Sequence, residues 1–332
     1  MILPSKQNSK HLLYRIIKFP ARLAFYIWCR HIIINKKELL NAEGPLLIAA
    51  NHPNSFLDAI LLSSLMKQPV RSLARGDAFT NKFNNKLLRS LNMFPVYRLS
   101  EGAAHLEENY HTFDECLKVF KKNGVVLIFS EGRCINEWSL RALKKGTARL
   151  ALQAWDQGIP LKILPLGFNY SSFTLFGKNI KLNFGEVITP QTFPQMEADS
   201  YGTKIQRFNA ALKAQLEQLV IHIKPANKEI IRQEFEVSIS PLKKVLLAIP
   251  AAAGFLLNAP LYIPVQKFAY KKFGKIDHYD SVVLGLLFLL YPFYLVAAAI
   301  AAGCIFGGYW WLFTFLIMPF CAWSYVQLKK QF

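Results

Sequence analysis

From Ser281 to Leu328 the chain runs for 48 residues without a Lys, Arg, Asp or Glu. A soluble helix pair needs a solvated face, so this run fits poorly in a water-soluble core. It is long enough for two spanning helices of about 20 residues each, with Gly303 and Gly307-Gly308 as the turn between them. Tyr291, Tyr294, Tyr309, Trp310, Trp311, Trp323 and Tyr325 cluster where such helices would meet the bilayer interfaces. A second charge-free stretch, Val245–Gln266, is interrupted by Pro250, Pro260, Pro264 and Asn258. Lys243-Lys244 precede it and Lys267 follows it. A bend at Asn258-Ala259-Pro260 would make it a re-entrant or interfacial hairpin and keep both basic flanks on the cytoplasmic side. Residues 241–332 therefore read as a membrane region.

At the other end, residues 1–40 form an amphipathic segment. The apolar residues from Leu12 to Ile34 are interrupted by Arg15, Lys18, Arg22 and Arg30, which rules out an uninterrupted signal-peptide core. A helix of this kind lies in the membrane interface with its cations on anionic headgroups; the alternative is a surface helix of a soluble domain. The balance of 40 Lys+Arg against 21 Asp+Glu, +19 in all, also calls for acidic partners. Nucleic acid is disfavoured, because zinc-finger spacing, RNA-recognition aromatics and basic-region heptads are all missing. Cys29, Cys116, Cys134, Cys304 and Cys321 form no C-x-x-C pair, which suits a reducing, cytoplasm-facing protein better than a disulfide framework.

Between these ends, residues 41–240 alternate short apolar runs with helical periodicity. Strands are predicted at Leu46–Ala50, Val70–Ala74, Phe94–Tyr97, Val125–Phe129, Lys162–Leu166 and Lys178–Phe184. Helices are predicted at Ser55–Met66, Phe79–Leu91, around Tyr110–Phe120, at Leu143–Trp155 and near Gly202–His222. The expected fold is α/β, a mixed sheet flanked by helices.

The chemistry concentrates at strand ends. Asn51-His52-Pro53-Asn54-Ser55-Phe56-Leu57-Asp58 directly follows the first buried strand. A His there faces the crevice at the carboxyl edge of an α/β sheet, and the neighbouring helix N-terminus favours the neutral imidazole that a general base requires. Asp58 would accept the other imidazole N–H and stabilise the imidazolium. Ser55 and Asp58 equally fit a capping box. Phe129-Ser130-Glu131-Gly132-Arg133 follows another buried strand. There a turn at Gly132 would offer backbone N–H groups to a phosphate and Arg133 a bidentate clamp, or else form a plain turn with solvated charges. Arg75 and Arg98 also follow strands and would join the same anion, or remain surface charges. Ile163-Leu164-Pro165-Leu166-Gly167 reads either as the lining of an acyl channel or as a strand ending in a turn.

Taken together, these segments resemble the lysophosphatidate and glycerol-3-phosphate acyltransferase family over about residues 45–190. Asn51, His52 and Asp58 resemble its N-H-x4-D motif, Phe94-Pro95-Val96-Tyr97-Arg98 its second, Phe129 with Glu131, Gly132 and an Arg its F-P-E-G-T-R motif, and Leu164-Pro165-Leu166 its apolar fourth. The chain departs from it in having five residues between His52 and Asp58, Ser130 in place of Pro, and Arg133 one place early. The resemblance implies a glycerol-3-phosphate acyltransferase-like fold and O-acyl transfer with His52 and Asp58 catalytic. Arg75, Arg98, Glu131, Gly132 and Arg133 would bind substrate, and Phe129, Pro165 and Leu166 would border the acyl chain. Acyl-CoA or acyl carrier protein would be the co-substrate, with no cofactor and no metal. The implied acceptor is lysophosphatidate, with glycerol 3-phosphate or another lysolipid as alternatives. An integral membrane protein with its catalytic domain toward the cytoplasm is expected. A non-enzymatic adaptor for anionic lipid is the competing class, and the lack of G-x-S-x-G counts against a serine hydrolase.

Overall fold

In the computed structural model, which describes residues 12–97, 106–193, 199–224 and 227–332, helix α1 (Leu12–Trp28) leads into strand β1 (His31–Ile34). There follow β2 (Leu46–Ala50), α2 (Ser55–Leu65), β3 (Val70–Arg75), α3 (Lys82–Ser90), β4 (Met93–Val96), α4 (Leu106–Phe120), β5 (Val125–Phe129), α5 (Lys145–Asp156), β6 (Lys162–Tyr170) and β7 (Asn179–Phe184). Helices α6 (Tyr201–Leu219), α7 (Lys228–Phe235), α8 (Pro241–Phe273), α9 (Tyr279–Phe306) and α10 (Trp310–Leu328) complete the chain.

The strands of the described residues form one mixed sheet in the order β1-β7-β6-β2-β5-β3-β4. Every neighbouring pair is parallel except β6 and β7. Strand alternation divides the core in two. Leu46, Ile48 and Ala50 of β2 face α1 and α2, while Leu47 and Ala49 face α4, α5 and α6. All five residues of β2 are buried, and each large aliphatic side chain among them stabilises the fold by about 1.5–3 kcal/mol. The chain passes from β2 through α2 to β3, and from β5 through α5 to β6. These connections leave in opposite directions and on opposite sheet faces. The carboxyl ends of β2 and β5 therefore border a topological switch point, where α/β sheets open a crevice.

Two boundaries differ from expectation. The interfacial segment does not run through residue 34: the helix ends at Trp28, and the β-branched run Ile32-Ile33-Ile34 pairs with β7, placing β1 in the sheet before residue 41. β6 extends beyond Leu166 to Tyr170 because β7 pairs with Leu166–Tyr170.

Helix α1 presents Leu12, Ile16, Phe19, Leu23 and Tyr26 on one stripe, each more than half exposed. Its cations do not all turn outward. Arg22 Nε donates to Ser64 O at 2.7 Å, and Lys18 Nζ donates to Lys67 O at 3.1 Å and to Met66 O. Both stand at the C-terminus of α2, where the last carbonyls lack intrahelical donors and the dipole favours positive charge.

Among the described residues three helices, α8, α9 and α10, are long and apolar enough to cross a membrane. The expected bend at Asn258-Ala259-Pro260 is not there, and α8 is one 33-residue helix. The three prolines inside it, Pro250, Pro260 and Pro264, each remove one backbone donor and leave the helix continuous. Both ends of α8 nevertheless sit on the α/β domain. Near its start Lys243 Nζ donates to Gln327 Oε1, and Gln327 Nε2 in turn to Arg30 O. Just past its end Asp277 and His278 bond to Asn136 and Ser55. From there α9 leads away and α10 returns, its last turn held where Arg30 Nε donates to Val326 O at 3.1 Å and Lys329 Nζ to Phe176 O at 2.7 Å. The far end of this hairpin, residues 304–313, is exposed throughout. Gly254 lets α8 close on α10, since a Cβ there would lie 2.0 Å from the Cys321 carbonyl oxygen.

Candidate active site

His52 follows β2 at the switch point. Asn51 fixes the chain there: its amide accepts from Phe168 N at 2.7 Å and donates to Phe168 O at 3.0 Å, tying the end of β2 to β6. The His52 ring stacks on Phe129 with centroids 3.7 Å apart and planes 12° apart. Its Nδ1 lies 2.9 Å from Asp58 Oδ2. With the carboxylate ionised, Nδ1 carries the proton and Nε2 keeps a lone pair. The imidazole is 18% exposed, so it remains reachable, whereas Asp58 is fully buried.

Burying a carboxylate costs several kcal/mol unless donors surround it. Asp58 has three. His52 and the Asn54 N–H (2.9 Å) share Oδ2, and the Tyr170 hydroxyl donates to Oδ1 at 2.6 Å. Tyr170 is 1% exposed; burial, and then the neighbouring Asp58 charge, raise its pKa well above the phenol value, so it stays a donor. The five-residue spacing thus still brings His52 and Asp58 into contact. Ser55 takes φ +50°, an uncommon region for a non-glycine residue that costs of order 1–3 kcal/mol. Two contacts hold it: its N–H donates to Cys134 Sγ at 3.0 Å, and its hydroxyl lies 2.5 Å from His278 Nδ1. The cysteine stays a thiol, because burial first and Asp58 second raise its pKa. Capping is divided accordingly. Asp58 does reach back to the Asn54 N–H, but Ser55 Oγ points to His278.

The Glu131 loop is built differently from expectation. Glu131 is buried and faces protein: Oε2 accepts from His52 N at 2.9 Å, and Oε1 from Arg141 N at 2.8 Å. The Arg141 guanidinium completes the pair at 3.1 Å and also donates to Arg133 O. Glu131 therefore braces the backbone of His52. Gly132 takes φ +67°, and its N–H closes a turn onto Phe129 O at 3.0 Å, while Ser130 N donates to Ala50 O. These two N–H groups are thus already engaged within the protein.

Arg133 is exposed beside this turn. Arg75 is ion-paired with Asp77, both about half exposed. Arg98 lies outside the described residues. Pro165 and Leu166 are buried in the middle of β6, where Leu166 pairs with Ala50 and Phe184. Phe129 packs on His52 and lies 6.3 Å from the Phe168 ring. Sequence reasoning missed Tyr170, Arg141 and His278. Alternation carried past Gly167 would have placed Phe168 and Tyr170 on one face of a longer strand, but neither Arg141 nor His278 stands in a pattern.

Residues 31–169 match the family model described as Acyltransferase. Among solved structures, the crystal structure of the 1-acyl-sn-glycerophosphate (LPA) acyltransferase PlsC from Thermotoga maritima is similar with a TM-score of 0.42 at 14% identity, over 66% of this chain and 84% of that one. No curated protein shows significant sequence similarity to the chain.

Proposed function

We propose that the chain, whose residues 31–169 match the Acyltransferase family model, moves an acyl group from a thioester to the free hydroxyl of 1-acylglycerol 3-phosphate at a membrane surface. The observation that carries the proposal is the His52–Asp58 pair, with Nε2 turned away from the carboxylate at the switch point of the sheet. Nε2 takes the proton of the acceptor hydroxyl as its oxygen attacks the thioester carbonyl. The tetrahedral species collapses, the carbon–sulfur bond breaks, and the imidazolium returns its proton to the departing thiolate. Asp58, held by Asn54 and Tyr170, offsets the imidazolium charge while it lasts. The reaction needs no cofactor, with acyl-CoA or acyl carrier protein as co-substrate. Arg133, exposed beside the Gly132 turn, is assigned to the acceptor phosphate.

The apolar helices favour an acceptor that stays in the bilayer. The α9–α10 hairpin spans it, and the α/β domain faces the cytoplasm, where thioester donors are found. Glycerol 3-phosphate is the second reading, favoured by the longer His–Asp spacing. Thiol release by the purified protein, measured with lysophosphatidate and with glycerol 3-phosphate side by side, chooses between them. His52→Ala should lose about 10²–10⁴-fold in rate while keeping its membrane association. Retention of more than a tenth of the wild-type rate would remove His52 from the mechanism.

A further inference from the structure

The loop that carries His52 is held from outside the family domain. Between α8 and α9 the chain turns through Asp277, His278, Tyr279, Asp280 and Ser281, and four of these five bond to the catalytic loop or its neighbour. Asp280 Oδ2 accepts from Asn54 Nδ2 at 2.8 Å. His278 Nδ1 meets Ser55 Oγ at 2.5 Å. Ser281 Oγ accepts from Leu57 N at 3.3 Å and donates to Asn54 O at 3.4 Å. Asp277 Oδ1 accepts from Asn136 N at 2.9 Å.

The central contact is expensive to build. Asp280 and Asn54 are fully buried, as is Lys178, which forms an ion pair with Asp280. A buried pair of this kind is weak evidence for stability, since apolar residues of similar size often do as well. What it adds here is position. The same Asn54 whose side chain is fixed by Asp280 donates its backbone N–H to Asp58 Oδ2, the oxygen that His52 shares. A continuous series of contacts therefore runs from Lys178 through Asp280 and Asn54 to Asp58 and His52. The residue in the left-handed region, Ser55, is held by the same segment.

We propose that Asp280 and His278, at the foot of the membrane hairpin, are positioning residues for acyl transfer: they hold the loop of residues 54–58 so that Asp58 and His52 stay aligned. This rests on His52 being the base. The hairpin is then part of the catalytic apparatus as well as an anchor, and its seating on the domain sets the turnover rate.

The test uses the full-length enzyme in mixed phospholipid–detergent micelles. The double variant Lys178→Met/Asp280→Leu replaces the ion pair with apolar residues of similar size and removes the acceptor from Asn54. Its kcat should fall about 10- to 100-fold, the scale of a small misplacement of reacting groups, with KM for both substrates within about twofold and an unchanged melting midpoint. His278→Ala should lower kcat in the same way, and His278→Asn, which keeps a polar atom near the Nδ1 position, should restore most of it. A folded double variant with kcat within threefold of wild type would overturn the proposal. Should that variant fail to fold, equal activity of His278→Ala and wild type would overturn it instead. His52→Ala separates the two levels. If it is active, the reading of the base fails; if it is inactive while the clamp variants are normal, the positioning role alone fails.

Discussion

Asp58→Asn is the sharpest probe of the site, because the structure lets the charge be removed with little else. Asparagine is nearly isosteric. With its carbonyl oxygen in the place of Oδ2, it still accepts from Asn54 N and His52 Nδ1, and its amide then faces the Tyr170 oxygen, which is able to accept. The folded protein should therefore keep its melting midpoint. The loss is electrostatic. With Nδ1 and Oδ2 2.9 Å apart and the centres of charge about 4 Å apart, the carboxylate stabilises an imidazolium by about 4 kcal/mol at an effective dielectric near 20. At about 1.4 kcal/mol per decade that is roughly a 10³-fold fall in kcat. The measurement is steady-state thiol release at saturating donor and acceptor, with melting recorded on the same preparation. A kcat within threefold of wild type, in protein that melts normally, would refute the role of Asp58 as the counter-charge. Asp58→Ala should do worse on both readouts, because it strands three buried or half-buried donors.

Other outcomes follow from the same geometry. Arg133→Ala should raise KM for the phosphate-bearing acceptor at least fivefold more than KM for the acyl donor, whereas Arg141→Ala, which unpairs the buried Glu131, should lower stability by about 1.5–3 kcal/mol; unfolding curves and paired substrate titrations tell the two apart. In a cysteine-free background, single cysteines at Ser240 and Lys271 should be shielded from an impermeant reagent added outside intact cells, and one at Gly308 should react; labelling at Ser240 but not Lys271 would mean that α8 crosses. His278 is held below its ordinary pKa of 6.5 by burial first, with Arg75 and His52 adding to the shift and Asp277 opposing it. A depressed histidine contributes stability that is present above the unfolded-state value and lost as pH falls through the folded-state value. The melting midpoint should therefore drop on acidification below about pH 6.5, and His278→Asn should flatten that drop; parallel slopes for the two proteins would exclude the histidine as its source.

Much of the α/β architecture was legible because it is local. Leu46–Ala50 and Val125–Phe129 are buried on both faces and read as continuous apolar runs between turn signals, and both strands formed at those bounds. His52 and Asp58 stood out because a helix start fixes where each goes. The remainder of the site was hidden by distance along the chain. Tyr170 meets Asp58 across 112 residues, and His278 meets Ser55 across 223. Neither contact leaves a periodic trace, since each depends on how the sheet and the hairpin pack. Glu131 and Arg133 were legible as a strand-end pair but not in their orientation, because Arg141, on an irregular stretch, competes for the carboxylate.

The bond between Asn54 and Asp280 joins residues 226 positions apart. A ribosome adding about 5–20 residues per second needs roughly 11–45 s to pass from one to the other. The seven strands of the described residues are all made before the turn that carries Asp280. The nascent chain therefore carries its histidine and aspartate for most of its synthesis without the Asn54–Asp280 contact proposed to align them, and gains that contact only once the turn before α9 has been made.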